Sequence, residues 1–447
     1  MPVWRAPERL SVRRGRFGKV GGMQTLHSAP IVLPVSAEPI GDGAVLVDGD
    51  RVLAVGTRTA LLAEYPGVRE RAWSGVLTAG LVNAHAHLQY TDFEELNSLD
   101  EPFHVWISKL TAKRASFTDA MWGESTRRGL HMMLRSGITS VADIVTDPTG
   151  VLPPTARSGI GGVSYIEIVF EDARSWSESG RARLLERLGS GIGGSRVLGV
   201  SPHTPFTIAS AVFQDCVAIA RDKGLRLHPH VAESPAESEY VLTGTGPFAE
   251  QMTKFGKSME LIRDGGSGLS PVRFLDKLGV LGPDMHAAHC VHCDPADREV
   301  LRSRGVYAAL CTRSNKILQS GQPPVADYLR EDSPFGIGTD SLASTPSLDL
   351  LEEAAALRAL AVRQGYAEAD LDRRIFEAAT LGGAGAMGLG DVGRLEPGSR
   401  ADLAVFSVPG QDALAPEAAY GALLEAAAEG RHRCLGTVLG GTIVHRA

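Results

Sequence analysis

Leu77-Thr-Ala-Gly-Leu-Val-Asn-Ala-His-Ala-His87 is an apolar run that ends in two histidines two positions apart. On an extended strand, residues i and i+2 point to the same side, so both imidazoles face one way. Neutral imidazole is the commonest side-chain ligand of divalent metals, and a pair fixed on one strand lowers the cost of ordering a site. An isolated H-x-H carries little weight. The downstream chain decides its meaning.

After this run, short apolar and β-branched stretches alternate with helical patterns. Strand candidates lie at 139–145, 162–170, 196–201, 225–231, 285–289, 306–311 and 334–338, and helical patterns such as 209–223, 295–304 and 348–364 come after most of them. With 77–87 as the first strand, the repeat makes eight βα units. Their continuous apolar character suits parallel strands buried on both faces. The spacing predicts an α/β protein, a (β/α)8 TIM barrel over residues 77–391. Both flanks read differently. Residues 24–76 and 392–447 carry short β-type runs broken by turns such as Asp48-Gly-Asp50, which predicts antiparallel β segments at the two chain ends that pair as one small domain. Residues 243–270, rich in glycine and polar side chains, read as an insertion after the fifth strand and as a lid over the site.

Composition narrows the function classes. The chain has 447 residues with 45 basic and 52 acidic side chains, a net charge of −7. That balance speaks against nucleic-acid binding and for a small-molecule partner. No apolar run approaches a membrane span. The first 23 residues are basic (Arg5, Arg9, Arg13, Arg14, Arg16, Lys19) but lack the apolar core of a secretory signal. They read either as a disordered leader or as residues ahead of an alternative start at Met23. A cytoplasmic location is the expectation. Five cysteines, an odd number, make no disulfide framework. Cys290 and Cys293 form a C-x-x-C without a second ligand pair at matching spacing, and read as packing residues. Whether copies of the chain assemble is left open.

In a barrel of this kind the active site lies at the C-terminal ends of the strands. His85 and His87 end the first. His230 ends the fifth, with Glu233 just beyond; His289 ends the sixth, and Asp340 ends the eighth in Gly338-Thr-Asp340. Structural histidines would scatter among core, caps and surface. These gather on one face, which predicts a metal site. His228 shares the strand parity of His230 and reads as a core histidine one layer deeper.

At these residues the sequence resembles the amidohydrolase superfamily, in its cytosine-deaminase-like branch of cyclic amidine and purine deaminases. The resemblance rests on Gly80-Leu-Val-Asn-Ala-His-Ala-His-Leu88, His230-Val-Ala-Glu233, Ala288-His-Cys-Val-His292, Gly338-Thr-Asp340 and the tail Gly393-Arg-Leu-Glu-Pro-Gly-Ser-Arg-Ala-Asp-Leu403. It implies that His85, His87, His230 and Asp340 hold one divalent metal ion. A His₃Asp set suits Zn²⁺ and Fe²⁺ alike. It also implies that the two chain ends, residues 24–76 and 392–447, form a small β-sandwich domain beside the barrel, and that the reaction is hydrolytic deamination. Asp340 would take the proton of the attacking water, His289 would orient that water, and Glu233 would protonate the ring nitrogen beside the amino-bearing carbon.

A narrower similarity, in Ser201-Pro-His-Thr-Pro-Phe206, His230-Val-Ala-Glu-Ser-Pro-Ala-Glu237 and Cys311-Thr-Arg-Ser-Asn315, is to the aminodeoxyfutalosine deaminases. It implies conversion of 6-amino-6-deoxyfutalosine, a 6-aminopurine nucleoside, to futalosine and ammonia on the futalosine route to menaquinone. Deaminases of S-adenosylhomocysteine and methylthioadenosine share the P-H-[ST]-P segment, whose histidine, here His203, contacts the substrate. Adenosine, guanine and triazines are further candidates within the branch. Trp106 is a candidate packing surface for the nucleoside, and Arg313 a candidate partner for a substrate carboxylate. Gln89 is a departure, since many relatives carry an acidic residue or another side chain after H-x-H-L. The zinc deaminases of cytidine and nucleic acid are excluded, because His289 rather than proline precedes Cys290. A non-catalytic binding barrel fits poorly, since His85, His87, His230, Glu233, His289 and Asp340 are all present.

Overall fold

The computed structural model describes residues 24–98, 101–189, 191–192 and 196–447; the basic leader read in residues 1–23 lies outside them. Strands β1 (Thr25–Leu33), β2 (Ile40–Asp48), β3 (Arg51–Thr57), β4 (Arg69–Ala72) and β5 (Val76–Ala79) open the chain. The central strands are β6 (Leu81–Ala86), β7 (Ile138–Val145), β8 (Gly161–Ile168), β9 (Arg196–Pro202), β10 (His230–Val231), β11 (His286–His289), β12 (Tyr307–Leu310) and β13 (Phe335–Ile337). β14 (Leu403–Ser407), β15 (Arg433–Leu439) and β16 (Thr442–Arg446) close it.

The central strands form two four-stranded parallel sheets, in the orders β6-β7-β8-β9 and β10-β11-β12-β13. Every residue of β7 and β8 is buried, as strands covered on both faces require. Isolated parallel bridges Val200↔Leu227, Leu227↔Met285 and Ala86↔Asp340 lie between the two sheets. The fifth run, 225–231, keeps only two ladder residues because Pro229 has no N–H to donate. Its carbonyl still accepts from the Ala288 N–H at 2.8 Å, so its place beside β11 is kept.

Strands from both chain ends join one eight-stranded sheet, ordered β16-β15-β14-β5-β1-β2-β3 with β4 on β1. The far edge of β1 is divided, since residues 25–28 pair with β4 and residues 31–33 with β5. The apolar run 77–87, read as one strand, is two. β5 belongs to the terminal sheet and β6 begins the central one, with the change at Gly80. The Gly80 N–H donates to the Asp402 carbonyl, and the next N–H, of Leu81, to the Gly137 carbonyl, both at 2.9 Å. A Cβ at Gly80 would lie 2.1 Å from Thr139 Oγ1. The chain changes sheets at the residue that has no side chain to place. The run 434–444 is likewise divided, by Gly440 and Gly441 at positive φ.

Half of residues 243–270 is helical, with helices at Pro247–Lys254 and Glu260–Asp264. Phe248 anchors the first, stacked on Phe206 at 3.9 Å between ring centroids. All five cysteines are free, four of them buried. Among the described residues no helix is long and apolar enough to cross a membrane.

Gly80→Ala is expected to cost about 1–3 kcal/mol, the usual penalty for overfilling a packed site. Urea unfolding followed by circular dichroism measures it.

Candidate active site

The ends of β6 and β13 are stitched together by Asn83. Its Oδ1 accepts from the Thr339 and His85 N–H groups, each at 3.2 Å, and its Nδ2 donates to Thr339 Oγ1 at 2.8 Å. The Asp340 N–H then donates to the His85 carbonyl at 3.0 Å. Asp340, His289 and Ala232 all have positive φ (60°, 72° and 53°), so the chain turns sharply where these strands end. Asp and His tolerate that region better than most residues, and such outliers cluster at functional sites. Here the turns aim side chains from distant strands at one point.

His85 Nε2 and His87 Nε2 lie 3.7 Å and 3.6 Å from Asp340 Oδ1, and His87 Nε2 lies 3.2 Å from His230 Nε2. The other carboxylate oxygen of Asp340 is occupied. Oδ2 accepts from Ser314 Oγ at 2.6 Å and Ser344 Oγ at 3.0 Å, which leaves Oδ1 for the histidines. Burial, reinforced by the neighbouring imidazoles, holds His85 and His230 well below the ordinary histidine range. They are neutral and present lone pairs.

His228 fixes which nitrogen of His85 is bare. The His286 carbonyl can only accept, so His228 Nδ1, 2.9 Å away, carries the hydrogen. Burial drives His228 down to about 3, so the ring is neutral and its Nε2 must accept. Its donor is His85 Nδ1 at 2.8 Å. His85 Nε2 is therefore unprotonated, buried and without a hydrogen-bond partner. A neutral imidazole whose far nitrogen is tied in this way is the arrangement found behind metal-ligating histidines. The donor atoms of His85, His87 and Asp340 lie within 4.8 Å of one another, as do those of His85, His230 and His289. This donor set fits one divalent cation.

Glu233 and His289 stand beside the cluster, with Glu233 Oε2 3.7 Å from His289 Nε2. Asn315 Nδ2 donates to His289 Nδ1 at 3.1 Å, which leaves the ring hydrogen on Nε2. Burial, with Asp340 opposing it, lowers His289 to about 4. Burial, then the charges of Asp340 and Glu237, push the Glu233 carboxyl well above its ordinary range. Glu237 also grips the turn that carries Glu233, its two oxygens accepting from the Ala232 and Glu233 N–H groups at 2.8 Å.

The cluster opens into a cleft of about 670 Å³ whose wall includes His203, Trp106, Phe206, Glu167 and Arg114. His203 is brought to the site, its ring 4.8 Å from that of His230 and its Nδ1 2.8 Å from Thr207 Oγ1. Trp106 lines the cleft while its indole N–H is committed to the Ala343 carbonyl at 3.0 Å. Arg313 is not brought there. Its guanidinium is taken up by Glu353 at 2.7 Å, Glu352 at 2.6 Å and the Ser347 carbonyl at 2.8 Å. Gln89 is buried behind the wall and holds the loop after β7, where it donates to Thr146 Oγ1 at 2.7 Å. Sequence reading missed Asn83, Glu237, Asn315 and Glu167. Asn83, Glu237 and Asn315 lie inside the motifs that carry the resemblance, and Glu167 near the end of a strand candidate, where a polar side chain in an apolar run is itself a signal.

Residues 76–441 match the model of the amidohydrolase family, and residues 43–67 that of a bacterial imidazolonepropionase-like composite domain. The chain belongs to the amidohydrolase family, and is a hydrolase acting on carbon–nitrogen bonds. It is 31% identical over 383 residues to a 5-methylthioadenosine/S-adenosylhomocysteine deaminase of Pelotomaculum thermopropionicum, covering 81% of this chain and 79% of the relative. To an aminodeoxyfutalosine deaminase of Deinococcus radiodurans it is 32% identical over 332 residues, 71% of this chain and 76% of that one. Among solved structures, a zinc-bound adenosine deaminase from Xanthomonas campestris has the same fold, with a TM-score of 0.76 at 23% identity, covering 94% and 92% of the two chains.

His228→Phe keeps an aromatic ring at this position and removes the acceptor for His85. It is expected to weaken divalent-ion binding about 10–100-fold, the usual effect of losing such a partner. Competition against a chromogenic chelator measures it.

Proposed function

We propose that the protein is a metal-dependent hydrolytic deaminase of a 6-aminopurine nucleoside, with His85, His87, His230 and Asp340 holding one Zn²⁺ or Fe²⁺ ion. The observation that carries this reading is the placement of Glu233 and His289, 3.7 Å apart, beside that donor set in one cleft. Three bridges between the two parallel sheets support closure into a (β/α)8 barrel over 77–391. The divided edge of β1 supports a two-layered β-sandwich from 24–76 and 392–447, beside the barrel.

A bound divalent ion lowers the pKa of a water molecule toward neutrality. The side chains supply the rest. Asp340 Oδ1 accepts the proton of the attacking water, while Ser314 and Ser344 keep the carboxylate from turning away. His289 donates from Nε2 to the incoming oxygen. Glu233, held protonated, gives its proton to the ring nitrogen beside the amino-bearing carbon. Glu233, now ionised, takes the hydrogen of the added hydroxyl as the carbonyl forms and passes it to the amino group, which leaves as ammonia. The proton on Asp340 then restores the Glu233 acid. One positioned acid–base group contributes about 10²–10⁴-fold.

Within this class, 6-amino-6-deoxyfutalosine is the proposed substrate, which would place the enzyme in menaquinone biosynthesis, as a cytoplasmic protein. The segments around His203, His230 and Cys311 and the Deinococcus relative support it. The Pelotomaculum relative supports methylthioadenosine or S-adenosylhomocysteine equally well. Arg313 does not argue for a carboxylate-bearing substrate, because its guanidinium is consumed within the protein.

Glu233→Gln is expected to retain the metal and lose about 10²–10⁴-fold in kcat. A variant that deaminates normally would remove Glu233 from the mechanism. Ammonia release from aminodeoxyfutalosine, methylthioadenosine, S-adenosylhomocysteine and adenosine decides the substrate. The highest kcat/KM is expected for the first, and a strong preference for another would reassign the substrate within the class.

A further inference from the structure

Glu167 lies near the end of β8 and lines the cleft, yet the deamination steps do not use it. One oxygen is fixed. Oε2 accepts from Thr146 Oγ1 at 2.6 Å, and Thr146 is itself held by Gln89 and by Tyr90, whose hydroxyl lies 3.3 Å from it. The other oxygen, Oε1, is buried and has no hydrogen-bond partner in the protein. His203 Nε2 is 3.8 Å away, outside hydrogen-bonding range. Buried polar atoms are almost always paired, and one left open at a cleft wall asks for a ligand atom.

The chemistry of that atom is constrained. Burial would raise the Glu167 carboxyl, but His203 and His87, the Thr146 hydroxyl and Arg114 outweigh it and hold it below the ordinary range. An ionised carboxylate only accepts, so the partner must be a donor. Two partners fit the position, a hydroxyl hydrogen or a cation. The ligand atoms of Glu167, His203 and His230 do lie within 4.8 Å of one another. However, His230 already faces the first cluster at 3.2 Å from His87, and the Arg114 guanidinium lines the same wall. A second dication there would be repelled from both sides.

We propose that Glu167 is the receptor for the sugar hydroxyls of the bound nucleoside, accepting a hydroxyl hydrogen on Oε1. The proposal rests on the nucleoside reading of the cleft and names the feature of the nucleoside that the wall selects. It assigns Gln89 a purpose as well, since Gln89 holds Thr146 and Thr146 turns the carboxylate so that one oxygen stays open.

The test compares adenosine with 2′,3′-dideoxyadenosine in the metal-loaded enzyme. The wild type is expected to favour adenosine by at least ~10²-fold in kcat/KM, because a site built to bond a hydroxyl rejects the analogue that lacks it. Glu167→Leu removes the acceptor and fills its space, and the ratio is expected to fall within ~10-fold of unity. Glu167→Gln keeps a neutral acceptor and should lie between the two. Metal content per chain should be the same in all three. An undiminished ratio in both variants, with the two substrates losing activity equally, would make Glu167 a positioning residue for His203 and overturn the proposal. Loss of a second metal equivalent on substitution would overturn it in favour of a cation site. Failure of the wild type to deaminate any purine nucleoside would reject the nucleoside reading itself, and this inference with it.

Discussion

His87 Nε2 and His230 Nε2, from parts of the chain far apart in sequence, lie 3.2 Å apart inside the site. Holding these rings together falls to the scaffold. Asn83 locks β6 to the end of β13, the Asp340 N–H ties the same seam, and Ser314 with Ser344 fixes the carboxylate. The His286–His228–His85 chain then decides that the bare nitrogen of His85 points inward. Buried polar groups held in this way are stable only when each is satisfied, and a divalent cation fits this set.

The rest of the chemistry is arranged around that constraint. Glu233 and His289 take their places from the same sharp turns that end β10 and β11, and each is backed by a residue outside the cleft wall, Glu237 for one and Asn315 for the other. Precision at such a site comes from the supporting groups as much as from the reacting ones. The terminal sheet contributes indirectly, since the chain passes from β5 into β6 at Gly80, five residues before His85.

Much of this is legible in the sequence, because strand parity and strand ends are properties of local spacing. His85 and His87 share parity, and His230, His289 and Asp340 each end an apolar run. What local spacing does not carry is partner choice. Arg313 reads as free for a substrate carboxylate, but Glu352 and Glu353, some forty residues later, take it up. Gln89 reads only as a departure in the first loop, and its role as a bracket for Thr146 comes from a contact 57 residues away. The strand at 225–231 reads as continuous although Pro229 removes a donor, and 77–87 reads as single although Gly80 lets it change sheets. Each of these depends on contacts between residues far apart in the chain, or on the steric room around one Cα.

X-ray absorption spectroscopy of the metal-loaded protein tests the central claim most directly. The expected spectrum shows one divalent ion bound by three imidazole nitrogens and a carboxylate oxygen, with the imidazole contribution reduced when His85, His87 or His230 is replaced. Sulfur bound directly to the metal, from Cys290 or Cys311, or a spectrum unchanged by those replacements, would contradict it.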